Sequence, residues 1–384
     1  MNLFDVYPLF DITPVKAQGA YVWDENGKRY LDLYGGHAVI SIGHSHPHYV
    51  KRIARQLYDI GFYSNSVKMP LQQELADKLG KLSGYDDYSL FLCNSGAEAN
   101  ENALKLASFH TGRKKVIAFK GAFHGRTSAA VAATDNPKIQ APINETDNII
   151  FLPLNDLSAF ANALQEHGHE LAAVIIEGIQ GVGGVQIPEV AFMKALAAGC
   201  DKVGALLILD EVQSGYGRSG KFFAHQNKDV KPHLITMAKG MGNGFPVAGV
   251  LISPEIEAKH GMLGTTFGGN YLACVAALAV LEVMEQENLM ENAGNIGNRL
   301  MSELRQMPGV KEVRGRGLMI GVELNQPCAG IRKQLLDEHG IFTGSSSDKN
   351  TLRLLPPLCI GIREVQKFLE AFEAVLLKAE LQTV

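Results

Sequence analysis

The sequence is poor in cysteine and carries no excess of basic residues, and both shortages narrow its possible functions. Its five cysteines stand alone without a CxxC pair, so neither a disulfide framework nor a zinc knuckle is indicated. A formal net charge of -4 provides no basic field for nucleic acid or an anionic membrane. The chain also lacks an apolar run near the roughly 20 residues of a membrane span. Its first residues lack the basic and apolar regions of a signal peptide, so we expect a cytoplasmic protein with reduced thiols.

Alternating helical and apolar segments dominate the chain after residue 70. Before it, "AYVWDENGKRYLDLYGG" alternates aromatic and polar residues around Asn26-Gly27, which predicts a β-hairpin. Short apolar runs separated by helices predict a mostly parallel sheet covered on both faces. We therefore expect an α/β protein, with a large domain at 66–280 and a smaller α+β domain built from 1–65 and 281–384.

One lysine, Lys239, lies in "LITMAKGMGNGFP", between a strand-like apolar run and a loop with three glycines. Three interpretations are open: a phosphate clamp, a nucleophile toward an aldehyde, or no function. An amine in a water-poor site can have a lowered pKa and become nucleophilic. The choice therefore depends on the groups that the fold brings near it.

Two acids, Asp210 and Glu211, follow the apolar run "ALLIL" directly, at the strand end where such sheets bind ligands. One interpretation is a nucleotidase magnesium site, with residues 215–221 as the phosphate loop. That loop needs a serine or threonine after its lysine, and Phe222 has no hydroxyl. The other interpretation is a carboxylate paired with a cationic ring nitrogen, with Gln213 as a neutral neighbour.

Two segments are candidate anion sites. "LFLCNSGAEANE" ends a strand and opens a helix, where Ser95 and Glu98 fit a capping box and free amides can bind phosphate. A capped helix without a ligand is the alternative there. "GTTFGGN" offers the hydroxyls of Thr265 and Thr266 ahead of two glycines and a helix.

The segment "FKGAFHGRT" groups Phe123, His124 and Arg126, which suit a planar ring and a carboxylate. The histidines of "GHSHPHYV" raise a metal alternative, but no acid or cysteine is adjacent, so we favour a turn with hydrogen-bonded histidines and predict no metal site. An amine for an aldehyde, an acid for a ring nitrogen, an aromatic for the ring and two anion sites together indicate pyridoxal 5′-phosphate (PLP).

Over nearly its whole length the chain resembles the class III (ornithine-type) aminotransferases, on segments that include "GHSHP", "CNSGAEANENALKLA", "GAFHGRT", "LILDEVQSGYGRSGKFFA", "ITMAKGMGNGFP" and "TTFGGN". The resemblance implies the fold-type I architecture of PLP-dependent transferases and a homodimer with an active site shared between subunits. It implies that Lys239 bonds the cofactor's aldehyde and that Asp210 pairs with its ring nitrogen. The other implied cofactor contacts are Ser95, Gly96, Ala97, Phe123, His124, Gln213 and, across the dimer interface, Thr266. The implied substrate contacts are Arg126, Arg353, Glu177 and His37.

The implied reaction moves the terminal amino group of N-acetylornithine or N-succinylornithine to 2-oxoglutarate, in arginine biosynthesis. The alternatives are an ornithine or other omega-amino acid aminotransferase, a PLP-dependent aminomutase, racemase or decarboxylase, and a binding module without activity. One segment departs from the family, whose members usually have E-P-I-Q-G-E where this chain has "EGIQGVGG", with Gly178 for the proline and Val182 for the last glutamate. The missing carboxylate would leave Arg353 without an acidic partner, which predicts an altered preference among amine donors.

Overall fold

A computed structural model describes residues 1–381 of the chain. The strands of this region are β1 (Pro14–Gln18), β2 (Tyr21–Asp24), β3 (Arg29–Asp32), β4 (Ser89–Cys93), β5 (Lys115–Phe119), β6 (Ile149–Leu152), β7 (Leu171–Glu177), β8 (Leu206–Asp210), β9 (Leu234–Met237), β10 (Ala248–Ile252), β11 (Val310–Arg316), β12 (Met319–Leu324), β13 (Ile341–Phe342), β14 (Gly344–Ser345) and β15 (Thr351–Leu354).

The helical segments of the same region are α1 (Gly35–Ala38), α2 (Pro47–Asp59), α3 (Pro70–Ser83), α4 (Gly96–Thr111), α5 (Ser128–Ala132), α6 (Leu157–His167), α7 (Val190–Val203), α8 (Tyr271–Gln286), α9 (Leu289–Leu304), α10 (Ala329–Asp337) and α11 (Ile362–Leu381). Within residues 1–381, none of them combines the length and the hydropathy that crossing a membrane requires.

Seven strands form the central sheet, in the order β4-β10-β9-β8-β7-β5-β6. The neighbours from β9 to β6 are all parallel, whereas β10 is antiparallel to both β9 and β4. The prediction of a mostly parallel sheet is therefore confirmed. The antiparallel strand β10 was not predicted, because its short run follows a loop rich in glycine and proline.

The buried strands alternate their side chains between two apolar layers. In β8, Leu207 and Leu209 pack with residues of α6 and α7 on one face of the sheet. Leu206 and Ile208 pack with residues of α4 on the other face. Asp210 continues the second series, because side chains two residues apart lie on the same face of a strand. The last residue of β8 is thereby directed toward α4.

Two four-stranded sheets account for the remaining strands, with the orders β1-β2-β3-β13 and β11-β12-β15-β14. The predicted hairpin around Asn26-Gly27 is confirmed, because β2 and β3 pair as antiparallel neighbours. β3 also pairs in parallel with β13, so segments near both ends of the chain share one sheet. The domain boundaries near residues 65 and 280 remain predictions.

Candidate active site

One cavity of about 450 Å³ opens at the carboxyl edge of the central sheet. Residues that follow β4, β5, β7, β8 and β9 line it, as expected for ligand sites in such sheets. The lining residues that the sequence singled out are Ser95, Gly96, Ala97, Phe123, His124, Arg126, Glu177, Val182, Asp210, Gln213 and Lys239.

Lys239 begins a short turn two residues after β9, with a left-handed backbone (φ 48°). Within residues 1–381 its ammonium group has neither a hydrogen-bond nor an ion-pair partner. Burial lowers the pKa of Lys239; the carboxylates of Asp210 and Glu177 oppose this shift, and Arg353 adds to it. The amine is therefore available in its neutral, nucleophilic form at a lower pH than an exposed lysine.

Asp210 is 4% exposed and its two carboxylate oxygens have different surroundings. Oδ2 accepts hydrogen bonds from Asn100 Nδ2 and His124 Nδ1, each at 2.7 Å. Within the described part of the chain, Oδ1 accepts only from the backbone amide of Val212, at 3.0 Å. Since a carboxylate oxygen can accept two hydrogen bonds, Oδ1 keeps capacity for one more donor.

The amino-terminal end of α4 has the free amides of an anion site. Ser95 Oγ accepts from the amide of Glu98 at 3.2 Å, which confirms half of the predicted capping box. The carboxylate of Glu98 bonds the amide of Asn94 instead of that of Ser95, so the reciprocal half is shifted by one residue. Among the described residues, the amides of Gly96 and Ala97 donate to no protein acceptor. A Cβ atom on Gly96 would lie 2.6 Å from Val212, so glycine is required here.

Glu177, the last residue of β7, joins two loops of the cavity. Its Oε1 accepts from the amide of Phe123 and its Oε2 from the amide of Gly181, both at 3.0 Å. Burial raises the pKa of the Glu177 carboxyl. In the second loop, the carbonyl of Val182 accepts from the amide of Ser347 at 2.9 Å while Val182 itself lines the cavity.

Gln213 connects the cavity to Arg353 and His37, neither of which lines the cavity itself. Its Oε1 accepts from Arg353 at 3.4 Å, and its Nε2 donates to the carbonyl of His37 at 3.1 Å. Arg353 is 4% exposed, and no carboxylate among the described residues forms an ion pair with it. Burial, Arg353 and Lys239 all lower the pKa of His37. His37 also has a left-handed backbone (φ 66°), which is strained for a non-glycine residue.

Thr266 and the histidines of "GHSHPHYV" lie outside this cavity. Thr266 is exposed, and Thr265 accepts a hydrogen bond from Asn94 at 3.2 Å. Each histidine contacts a different carboxylate. Asp32 is 12 residues from His44, whereas Glu287 and Glu282 are 241 and 234 residues from His46 and His48. Folding thus brings carboxylates from other segments to the histidines. Among the described residues, no cluster of side chains is suited to a metal ion.

Two buried residues at the site, Asn100 and Thr236, were not singled out from the sequence. Asn100 contacts Asp210, and its Oδ1 accepts from Thr236 Oγ1 at 2.7 Å. A signal for Asn100 is present in the sequence, since it is the polar member of an otherwise apolar helical stripe with Ala103, Leu104 and Ala107.

The fold and the site together define a class of protein. Among the residues that the structure describes, the site contains an amine without a partner, a carboxylate with a free acceptor position and helix amides without an acceptor. These are the groups that a phosphate-bearing aldehyde cofactor with a ring nitrogen requires. Their place at the carboxyl edge of a mostly parallel sheet is that of a cofactor-dependent α/β enzyme that transforms amines.

The chain belongs to the class III aminotransferases, whose family model matches residues 5–376. Enzymes of this class depend on PLP, and the residues of the cavity fit that cofactor. The acetylornithine aminotransferase of Archaeoglobus fulgidus is 41% identical over 372 residues, which cover 96% of both chains. That of Bacillus subtilis is 42% identical over 370 residues, covering 95% of this chain and 94% of the relative.

Solved structures agree with this family membership. The ornithine aminotransferase of Toxoplasma gondii has a TM-score of 0.91 at 28% identity, covering 98% of this chain and 92% of its own. A second structure of that enzyme is described as having partial occupancy of PLP in its active site. The acetylornithine aminotransferase of Elizabethkingia anophelis has a TM-score of 0.84 at 30% identity, covering 97% of this chain and 95% of its own.

Proposed function

We propose that this aminotransferase moves the terminal amino group of N-acetylornithine, or of N-succinylornithine, to 2-oxoglutarate. The products would be the N-acyl-glutamate 5-semialdehyde and glutamate, in arginine biosynthesis in the cytoplasm. The observation that carries the proposal is the buried amine of Lys239, which has no partner within residues 1–381, in the same cavity as the Asp210 carboxylate. The names of relatives at about 40% identity support the choice of donor.

The chain's own groups would divide the work as follows. Bound PLP supplies an aldehyde that receives amines and a ring that accepts an electron pair from the substrate carbon. Lys239 would hold the cofactor covalently until the substrate amine displaces it. Its freed Nζ would then take a proton from the substrate carbon and later return a proton to the product side. Asp210 would keep the ring nitrogen protonated through a charge-assisted hydrogen bond. The amides of Gly96 and Ala97 would bind the phosphate, and Phe123 would cover the ring.

Substrate recognition would use the cations near this cavity. Arg126 lines the cavity without an acidic partner among the described residues, and Arg353 lies behind Gln213. Both would bind substrate carboxylates, because a guanidinium matches a carboxylate in two parallel hydrogen bonds. Glu177 would fix the loops of Phe123 and Val182, and His37, which Gln213 connects to the cavity, would contact the distal part of the donor.

We also propose that the active protein is a homodimer with a shared active site. No residue of α2 is buried, although Val50, Leu57 and Tyr58 give it a large exposed apolar area. Exposed apolar patches of this kind mark protein interfaces. A second copy would also bring its Thr266 to the phosphate. Light scattering of the purified protein tests this, and a monomeric mass at full activity would exclude a shared site.

A panel of amine donors with 2-oxoglutarate as acceptor tests the proposed reaction. Glutamate formation should be fastest with N-acetylornithine or N-succinylornithine and slower with free ornithine. The aldehyde product should appear in equal amount, since each transfer converts one amine to one carbonyl. A PLP enzyme that isomerises, racemises or decarboxylates its substrate would consume the donor without forming glutamate.

The Val182→Glu variant tests how the missing carboxylate sets the donor preference. A carboxylate at 182 would lie in the cavity, on a loop that contacts Ser347, two residues after the Ser345 carbonyl that accepts from Arg353, and would accept the free α-ammonium of ornithine. We expect the ratio of kcat/KM for ornithine to that for N-acetylornithine to rise about tenfold, the order of one charged hydrogen bond. The KM for 2-oxoglutarate should rise as well, because Arg353 would be partly neutralised.

The Val182→Gln variant is the matched control, because it adds a similar volume without charge. Both variants keep the backbone carbonyl that Ser347 contacts. If Val182→Glu leaves the relative rates on ornithine, N-acetylornithine and N-succinylornithine unchanged, residue 182 does not set the donor preference.

A further inference from the structure

The buried face of α4 carries an asparagine among apolar residues. Its buried residues are Ala99, Asn100, Ala103, Leu104, Leu106 and Ala107. Asn100 is 1% exposed, so its carboxamide would be costly there unless every polar atom found a partner. The residue is therefore held by specific contacts.

Three hydrogen bonds satisfy this carboxamide. Nδ2 donates to Asp210 Oδ2 and to the carbonyl of His124, both at 2.7 Å. Oδ1 accepts from the hydroxyl of Thr236, also at 2.7 Å. The orientation of the amide is determined by its surroundings, because a carboxylate and a carbonyl can only accept hydrogen bonds. Asn100 thus fixes Asp210 and the backbone of His124 through one rigid group.

Thr236 is the outer member of the same chain of hydrogen bonds. It is 0% exposed and lies opposite Asp210 in the parallel pairing of β8 with β9. Leu234 of β9 packs in the layer next to α4, and Thr236, two residues on, faces the same way. Its hydroxyl therefore has Asn100 as its partner, and the order of donation runs from Thr236 to Asn100 to Asp210.

We propose that Asn100 and Thr236 are positioning residues that hold the Asp210 carboxylate with Oδ1 directed to the cofactor ring nitrogen. Oδ2 already accepts from two side chains, whereas Oδ1 accepts from no group of residues 1–381 other than the amide of Val212. With Oδ2 held from two sides, the carboxylate cannot rotate to exchange its oxygens. Asn100 borders the cavity, but its carboxamide is used by Asp210, the carbonyl of His124 and Thr236, and Thr236 does not line the cavity, so both act through Asp210. This inference rests on the proposed function, because it presumes a ring nitrogen at Oδ1.

The test uses holoenzyme loaded with PLP that is labelled with ¹⁵N at the ring nitrogen. The chemical shift of that nitrogen reports its protonation, which a purely structural role of Asn100 would leave unchanged. Asn100→Leu and Thr236→Val should move the resonance toward that of an unprotonated ring. Both should lower kcat, by about tenfold for Asn100→Leu, the equivalent of one hydrogen bond to a charged group, with KM for both substrates unchanged. Thr236→Ser keeps the hydroxyl and should restore the resonance and the turnover.

Asn102→Leu is the matched control on the same helix. Asn102 donates to the carbonyl of Glu98 at 2.8 Å and contacts neither Asp210 nor Thr236. The ¹⁵N resonance of the ring nitrogen in the Asn102→Leu holoenzyme should equal that in the wild-type holoenzyme. If Asn100→Leu does not fold, the ring-nitrogen resonances of Thr236→Val and Thr236→Ser are compared instead, and a difference between them supports the positioning role.

An unchanged resonance in Asn100→Leu, or in Thr236→Val where the first does not fold, overturns the inference and leaves the proposed function intact. If the wild-type protein binds no PLP, the proposed function fails and this inference fails with it. The two failures are thus distinguished by whether the wild-type holoenzyme forms.

Discussion

Lys239→Ala is expected to abolish amino transfer while the chain remains folded. The variant removes the only cavity-lining lysine among the described residues, and with it both the covalent attachment and the base at the substrate carbon. Proton transfer by a positioned group is worth about 10²- to 10⁴-fold, and the loss of the covalent attachment adds to this, so turnover should fall by about 10⁴-fold. Glutamate formation from N-acetylornithine and 2-oxoglutarate measures it, with circular dichroism as the check on folding.

Lys228 provides the sharpest control for this prediction. It is also buried, and its surroundings lower its pKa to about 8, mainly through burial. Its ammonium donates to the carbonyl of Pro188 and does not line the cavity, so Lys228→Met should leave turnover unchanged. Reduction of the holoenzyme with borohydride followed by peptide mass spectrometry should place the cofactor's mass on Lys239. A label on Lys228, or wild-type turnover in Lys239→Ala, would contradict the predicted role of Lys239.

The residues at strand ends could be predicted from the sequence because a local pattern marks them. An apolar run that stops at an acid or a lysine places that side chain at the carboxyl edge of a parallel sheet, where ligands bind. This logic found Asp210 and Lys239, and the structure brings both into one cavity. The same logic could not separate a phosphate clamp from a nucleophile, since that choice depends on which groups surround the amine.

Contacts between distant segments could not be predicted, because no local pattern encodes them. The carboxylate partners of the three histidines lie in other elements, at separations of up to 241 residues for His46 and Glu287. Gln213 was expected near the cofactor, but its bonds to Arg353 and His37 depend on how the carboxyl-terminal segment packs. Asn100 and Thr236 meet only once α4 covers the sheet. The packing of distant segments against one another, and not the type of any single residue, determines these contacts.

Asp210→Asn is expected to lower kcat by about 10²- to 10³-fold, the range found when a preorganised electrostatic partner of a reacting group is removed. The amide keeps the shape of the carboxylate and can still accept through one oxygen, but it carries no charge to hold a proton on the ring nitrogen. Without that charge, Lys239 would remove the proton from the substrate carbon more slowly. KM for the amine donor should change little, because Arg126 and Arg353 would still bind its carboxylate. Single-turnover absorbance of the holoenzyme with N-acetylornithine measures the effect on the chemical step.

Glu211→Gln is the matched control for Asp210→Asn, because the two acids are adjacent and both are buried. The Glu211 carboxylate lies outside the cavity and accepts from Ser214 Oγ, the amides of Ala224 and His225, and the His225 ring. Removing its charge should lower the thermal midpoint and leave the turnover of the folded protein unchanged, the opposite of the Asp210→Asn result. A cofactor analogue methylated at the ring nitrogen carries a fixed positive charge. It should restore part of the turnover lost in Asp210→Asn and should not increase the turnover of the wild type or of Glu211→Gln. If the analogue restores nothing, the charge of Asp210 acts through something other than ring protonation.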